Sequence, residues 1–138
     1  MVTLPYRTES GLEVFNKTEA LLSYSLKIIS NRKIFPEAYY IMFTKDLLTY
    51  VKIVHMKAWA ANNIKVIDKF TFDERRRLQD ESISALTCFI SLLGVAKKVF
   101  KFSTRRELYW TKLAIDAEKY LVNWRDKDIA RYTAQYGG

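Results

Sequence analysis

Cysteine occurs once, proline twice and glycine four times in 138 residues. Each scarcity excludes something. A single cysteine, Cys88, cannot close an intrachain disulfide. Its place in the apolar run Ala85-Leu86-Thr87-Cys88-Phe89-Ile90 reads as a small buried hydrophobe in a reducing, cytoplasmic setting. Four glycines leave few positions for tight hairpins, bulges or phosphate-cradling loops. All-β and dinucleotide-binding architectures are therefore poor readings, and long helices are favoured. No P-loop, GxGxxG or HExxH sequence is present, and there is no Cys/His cluster, so no cofactor or metal is expected. The one histidine, His55, has Lys52 rather than a glutamate three residues before it, so the Glu-x-x-His pair of di-iron bundles is missing. His55 reads as a helix-surface or boundary residue. No nucleophile sits on a strand-turn-helix elbow. Catalysis is not expected, and an enzyme working from His55 or Cys88 is the weakest reading.

Membrane signals are scarce too. Arg7 and Glu9 interrupt the first ten residues and no apolar leader core follows. The longest uncharged stretch, Ser82 to Ala96, contains Ser82, Ser84, Thr87, Ser91 and Gly94. It reads as too short and too polar to cross a bilayer.

What the chain does have is apolar periodicity. Hydrophobic residues make up 49% and aromatics 14%, too many for a disordered chain. The spacing predicts four helices, at about 11–31, 36–63, 72–100 and 104–132. In the first, Leu12, Phe15, Leu22 and Ile29, with Leu21, Leu26 and Ile28, form a broad apolar face. Pro36 suits the first turn of the second helix, whose apolar face is Phe43, Leu47, Val51, Val54, Ala58 and Ala61. The third is expected to start near Thr71 to Asp73, with Asp73 and Glu74 at the positive end of its dipole. Its seam reads Leu78, Ser82, Ala85, Phe89, Leu92, Ala96 and Val99, beside a second row of Ile83, Leu86, Ile90 and Leu93. That stripe is wider than one bundle core needs. A central place in the bundle accounts for it, and so does a second buried face against another subunit. Thr104 to Glu107 matches a capping box, followed by Trp110, Leu113, Ala114, Ala117, Leu121 and Trp124 on one face. Gln135 to Gly138 reads as a loose tail. The expected fold is all-α, an up-and-down antiparallel four-helix bundle in one domain.

The formal net charge is +8, from 23 Lys+Arg against 15 Asp+Glu. It is even between the halves: ten cations face six acids in residues 1–69, and thirteen face nine in residues 70–138. Acids nevertheless vanish from Leu47 to Ile67, which holds Lys52, Lys57 and Lys65, and from Ser82 to Arg106. Lys97, Lys98, Lys101, Arg105 and Arg106 crowd ten residues at the third turn. The helix dipole accounts for cations ending one helix but not for Arg105 and Arg106 opening the next. An external phosphate accounts for them better. Arg75, Arg76 and Arg77 weigh less, because Asp73, Glu74, Asp80 and Glu81 lie near. Trp59 shares the Lys45–Lys52 face, opposite the core, where an exposed tryptophan calls for a partner. The candidate nucleic-acid or protein-binding residues are thus Lys45, Lys52, Trp59, Arg75, Arg76, Arg77, Lys97, Lys98, Lys101, Arg105 and Arg106.

The order of short motifs resembles a known family. Asn16-Lys17-Thr18 with Leu21-Leu22 and Tyr24, then Phe35-Pro36, then Ala61-Asn62, then a helix led by Tyr109 and ending at Trp124, is similar to the accessory variability proteins (Avd) of diversity-generating retroelements. The related four-helix proteins encoded in ribosomal-RNA intervening sequences share much of this layout. The resemblance implies a four-helix bundle assembling into a pentameric barrel. It implies a non-catalytic role beside a reverse transcriptase and its RNA (template repeat and adjoining spacer, or RNA–cDNA), supporting mutagenic cDNA synthesis. Where the family usually carries basic residues after Phe-Pro, this chain has Glu37, Ala38, Tyr39 and Tyr40; where a glycine pair often precedes the late tryptophan, it has Val122 and Asn123. The alternative is a scaffold or intervening-sequence-type bundle with a general RNA-binding or protein-interaction role.

Overall fold

The structure is a computed structural model that describes residues 9–137. The segment holding Arg7, read above for a leader, lies outside the described residues. Four α-helices follow one another: α1 (Glu9–Ile29), α2 (Lys45–Asn62), α3 (Lys69–Val99) and α4 (Thr104–Tyr136). No strand occurs among the described residues. Each helix contacts the next in the chain, and α4 closes back onto α1, which makes a four-helix bundle.

The buried residues fall at alternating steps of three and four, the spacing that keeps one seam inward between nearly aligned helices. In α1 the seam is Gly11, Val14, Thr18, Leu21, Ser25 and Ile28. This is a rotation from the expected face: Leu26 is exposed, and Leu12, Phe15 and Leu22 are only half-buried. In α3 the seam is Phe72, Arg75, Gln79, Ser82, Leu86, Phe89, Leu93 and Ala96. It runs between the two apolar rows seen in the sequence, so Leu78 and Leu92 become flanks and Val99 is exposed. Both rotations have one cause. The seam accepts polar side chains that find hydrogen-bond partners inside the bundle, although the Gln79 Oε1 has none. Ser25 donates to the Leu21 carbonyl at 2.7 Å and accepts from the Trp110 indole at 2.9 Å. Ser82 donates to the Val54 carbonyl at 2.7 Å, tying α3 to α2. Of the faces expected on the second and fourth helices, Leu47, Val51, Val54, Ala58 and Ala61 and Trp110, Ala114, Ala117, Leu121 and Trp124 are buried, while Phe43, in the π-helical turn before α2, and Leu113 are only half-buried.

The boundaries differ in four places. The chain does not enter α2 directly from Pro36: a 3-10 turn at Glu37–Tyr39 and a π-helical turn at Tyr40–Thr44 precede it. α3 starts earlier than Thr71, because the Asp68 carboxylate accepts the Thr71 N–H and the Thr71 hydroxyl returns to the Asp68 backbone N–H. This capping box holds the Asp68 carboxyl below its ordinary range. The N-cap of α4 is Ser103, whose hydroxyl accepts from the Arg106 N–H; the Thr104–Glu107 box does not form. α4 continues through Tyr136 and stops at Gly137, whose positive φ of 80° suits a residue without a side chain. Gln135 and Tyr136 are therefore helical, not tail, and Gly138 lies outside the described residues.

Two side chains fall on the other side of the surface from expectation. Cys88 is exposed, not buried, because the inward positions on its turn go to Leu86 and Phe89. Trp59 is half-buried on the Phe15 ring at 4.8 Å instead of standing alone on a cationic face. α3 also qualifies as a membrane-crossing helix by length and composition, contrary to the polarity argument; a third of the qualifying window is buried within this domain.

Candidate nucleic-acid interface

The chain's charge is gathered at one end of the bundle by an aromatic cluster. The corner between α1 and α2 turns on Asn31, whose carbonyl accepts from the Ile34 and Phe35 N–H groups and whose side chain caps Lys33. Phe35 is thereby driven inward. Its ring lies 4.8 Å from Phe100, 6.2 Å from Phe102 and 6.0 Å from Trp110. Tyr39 and Phe43 also meet Phe100. The corner at residues 30–44 is thus fastened to the α3–α4 turn through contacts that span 57 to 75 residues of sequence.

That contact merges two basic segments. The corner supplies Lys27, Arg32 and Lys33; the turn supplies Lys97, Lys98, Lys101, Arg105 and Arg106. Two carboxylates of these segments, Glu37 and Glu107, are engaged, and Asp46 stands exposed in the first turn of α2 that the corner leads into. Glu37 pairs with Arg32, and Glu107 lies 3.9 Å from Lys97. Among the described residues, no carboxylate comes within 4 Å of Lys27, Lys33, Lys98, Lys101, Arg105 or Arg106. All six are exposed. Arg105 and Arg106 also stand on the positive end of a 33-residue helix, an arrangement that an anion relieves.

The other candidates separate. Arg75 is buried at 1% exposure and donates to both oxygens of Asp128, at 2.6 and 3.3 Å; it is not available to a phosphate. Its burial follows from the α3 seam, which passes through position 75. Arg77 is held by Glu74 at 2.9 Å and Glu81 at 2.7 Å. Arg76 is exposed beside Asp73, Asp80 and Glu81, near the start of α3. Lys45 and Lys52 are exposed on α2, but Lys57 from the same acid-free stretch meets Glu81 of α3 at 3.0 Å. A stretch without acids in sequence is not one in space. Trp59, with its ring against Phe15, does not join the cationic end.

Lys27, Arg32, Lys33, Tyr24 and Tyr109 belong to this end and were missed. Asn31-Arg32-Lys33 signals a helix stop and also a charge run, and only the first meaning was legible without the fold. Between α1 and α4 lies a cleft of about 180 Å³ lined by Tyr24, Lys27, Ile28, Asn31, Ile34 and Arg106. Tyr24 meets Tyr109 edge to face at 4.9 Å. Burial pushes the Tyr24 phenol above its ordinary value, against the opposing pull of the Arg106 cation, so it stays protonated at neutral pH.

His55 is half-buried under Phe15, at 4.8 Å, and bonded to Thr18 at 2.8 Å. The Thr18 hydroxyl also lies 3.1 Å from the Phe15 carbonyl, so its one proton serves either that carbonyl or Nδ1 of His55. Among the described residues no group of three or more His, Cys, Asp or Glu is placed to hold a metal ion.

No match is found among protein families, curated proteins or solved structures. The structure itself defines the class: an all-helical, four-helix bundle domain with a cationic end.

Proposed function

We propose that the chain is a non-catalytic accessory protein that binds RNA and its reverse transcriptase in a diversity-generating retroelement, as the resemblance to the Avd family implies. The observation that carries this reading is the cationic end: eight cations assembled from two distant segments, whose own carboxylates Glu37 and Glu107 are already paired, with Asp46 in the first turn of α2 as the further acid nearby. Phosphates are the ligand that such a surface holds without base contacts. A protein contact is supported on the neighbouring side of the same corner. There an apolar groove of about 370 Å³ runs between Leu26, Ile29, Phe35, Tyr40 and Leu48, and Ile41 and Met42 are 82% and 68% exposed. Apolar exposure on that scale marks interaction surfaces.

The up-and-down antiparallel course is supported by the pairing of Arg75, near the start of α3, with Asp128, near the end of α4. The pentameric ring is supported by the outer face of α3, where Cys88, Val95 and Val99 are exposed and no charge occurs from Ser82 to Ala96.

RNA binding measured over a salt series tests the reading. Six phosphate contacts on a single strand give a log–log slope of about −4, or roughly 250-fold between about 50 and 200 mM salt. Replacing Lys98, Lys101 and Arg105 together with glutamate removes at least about two units of slope. Negligible affinity at about 50 mM, or an unaffected triple variant, overturns it in favour of the scaffold reading. Light scattering tests the ring: a monomer near physiological salt removes that part.

A further inference from the structure

The cleft between α1 and α4 differs from the rest of the cationic end. Elsewhere the cations stand on open surface, apart from Arg32, which lines the apolar groove beside Glu37. Here two of them, Lys27 and Arg106, line a recess together with Asn31 and Tyr24. Tyr109 does not line the recess but stands behind its Tyr24 wall, 50% exposed, with its ring edge to face against Tyr24 at 4.9 Å. A half-open aromatic ring beside paired cations has the two elements of a nucleotide subsite. The cations take the phosphate, and the ring takes the flat face of a base. Asn31 adds its side-chain amide at the recess wall, the Oδ1 of which already accepts from the Lys33 N–H and leaves the NH₂ group as donor.

We propose that this cleft binds one unpaired nucleotide, with its phosphate between Lys27 and Arg106 and its base stacked on Tyr109, so that the cationic end selects single-stranded over duplex RNA. The inference rests on the RNA-binding reading above and sharpens it. In a duplex both faces of each base are covered by neighbours, and a ring set beside a recess cannot reach them. An open cationic surface alone would favour the duplex, whose phosphates are denser. The preference for the single strand therefore comes from Tyr109 and not from the charge.

The test compares two fluorescein-labelled probes by anisotropy at about 100 mM salt: an unstructured RNA of about 12 nucleotides and a blunt RNA duplex of the same length and composition. The expected result is tighter binding of the single strand. Tyr109→Ala and Tyr109→Leu each weaken the single strand about tenfold, the loss of one stacked base, and leave the duplex unchanged. Tyr109→Phe retains the single-strand affinity. Tyr109→Leu keeps the apolar contact with Tyr24, so the test survives if the alanine variant melts early. Equal or tighter duplex binding, or equal losses for both probes in the Tyr109 variants, overturns the single-strand proposal while leaving RNA binding intact. Binding of neither probe, with binding of a labelled polyglutamate peptide instead, overturns both and points to a protein partner.

Discussion

Removing Asp128 is the sharpest perturbation this bundle offers, because it strands a buried cation. Arg75 and Asp128 are 1% and 3% exposed. The guanidinium donates to both carboxylate oxygens, at 2.6 and 3.3 Å, lies 5.1 Å from the centre of the Trp124 ring and reaches the Ile64 carbonyl at 3.3 Å. Gln79 donates to the same carboxylate at 2.8 Å. In Asp128→Ala, Arg75 keeps only the Ile64 carbonyl and the indole face, and the Gln79 amide loses its acceptor. Breaking a buried pair from one side costs about 3–5 kcal/mol. With an unfolding entropy of about 0.3 kcal/mol/K for this length, Tm falls by about 10–17 °C. The double variant Arg75→Met, Asp128→Leu removes both charges and refills the space, and recovers most of the loss. Calorimetry on the two variants and the parent reads both effects. A fall of less than about 3 °C in Asp128→Ala, or a double variant no more stable than the single, refutes the account of this pair. The same variants carry a second readout. Arg75→Met with Asp128→Leu leaves RNA affinity unchanged, and a selective loss of RNA binding in a folded double variant would contradict the buried placement of Arg75.

Two further outcomes follow from individual side chains. Burial lowers the His55 pKa, with a smaller opposing effect from Glu19, so the unfolded chain binds the proton more readily. The His55 contribution to stability is full above the unfolded value of about 6.5 and declines as pH falls through the lower folded value. Melting curves between about pH 7.5 and 5 show this decline, and His55→Gln flattens that part of the profile; an unchanged slope would reject the assignment. Cys88 is exposed, so the native chain reacts with a maleimide at a rate close to that of the denatured chain at low protein concentration. Strong protection of the dilute chain would place Cys88 inside, as the sequence suggested.

Local chemistry made the helical class legible. Few glycines and prolines, and apolar residues every three or four positions, leave little besides helices. The inward residues of α2 and α4 were readable because Leu47, Val51, Val54, Ala58 and Ala61, and Trp110, Ala114, Ala117, Leu121 and Trp124, recur at steps of three and four along one line of each helix. α1 and α3 were misread because both have apolar residues on more than one side. Their orientation was decided by which polar groups could be satisfied from neighbouring helices. Thr18, Ser25, Gln79 and Ser82 occupy the seam because His55, Trp110, Asp128 and Val54 meet them there. Arg75 is the extreme case. Its sequence neighbours include four acids, yet its partner is Asp128, 53 residues on.

The chain's scarcities and its periodicity thus determined that it is helical and where its helices lie to within about four residues, except at the start of α2, which comes nine residues after Pro36 because a 3-10 and a π-helical turn precede it. Tertiary structure decided where its positive charge gathers. The count along the chain finds the run from Lys97 to Arg106 but not that Lys27, Arg32 and Lys33 join it. The end exists because Phe35 and Phe100 bury against each other, and that aromatic burial brings Lys27 and Lys33 to the turn that holds Lys98, Lys101, Arg105 and Arg106.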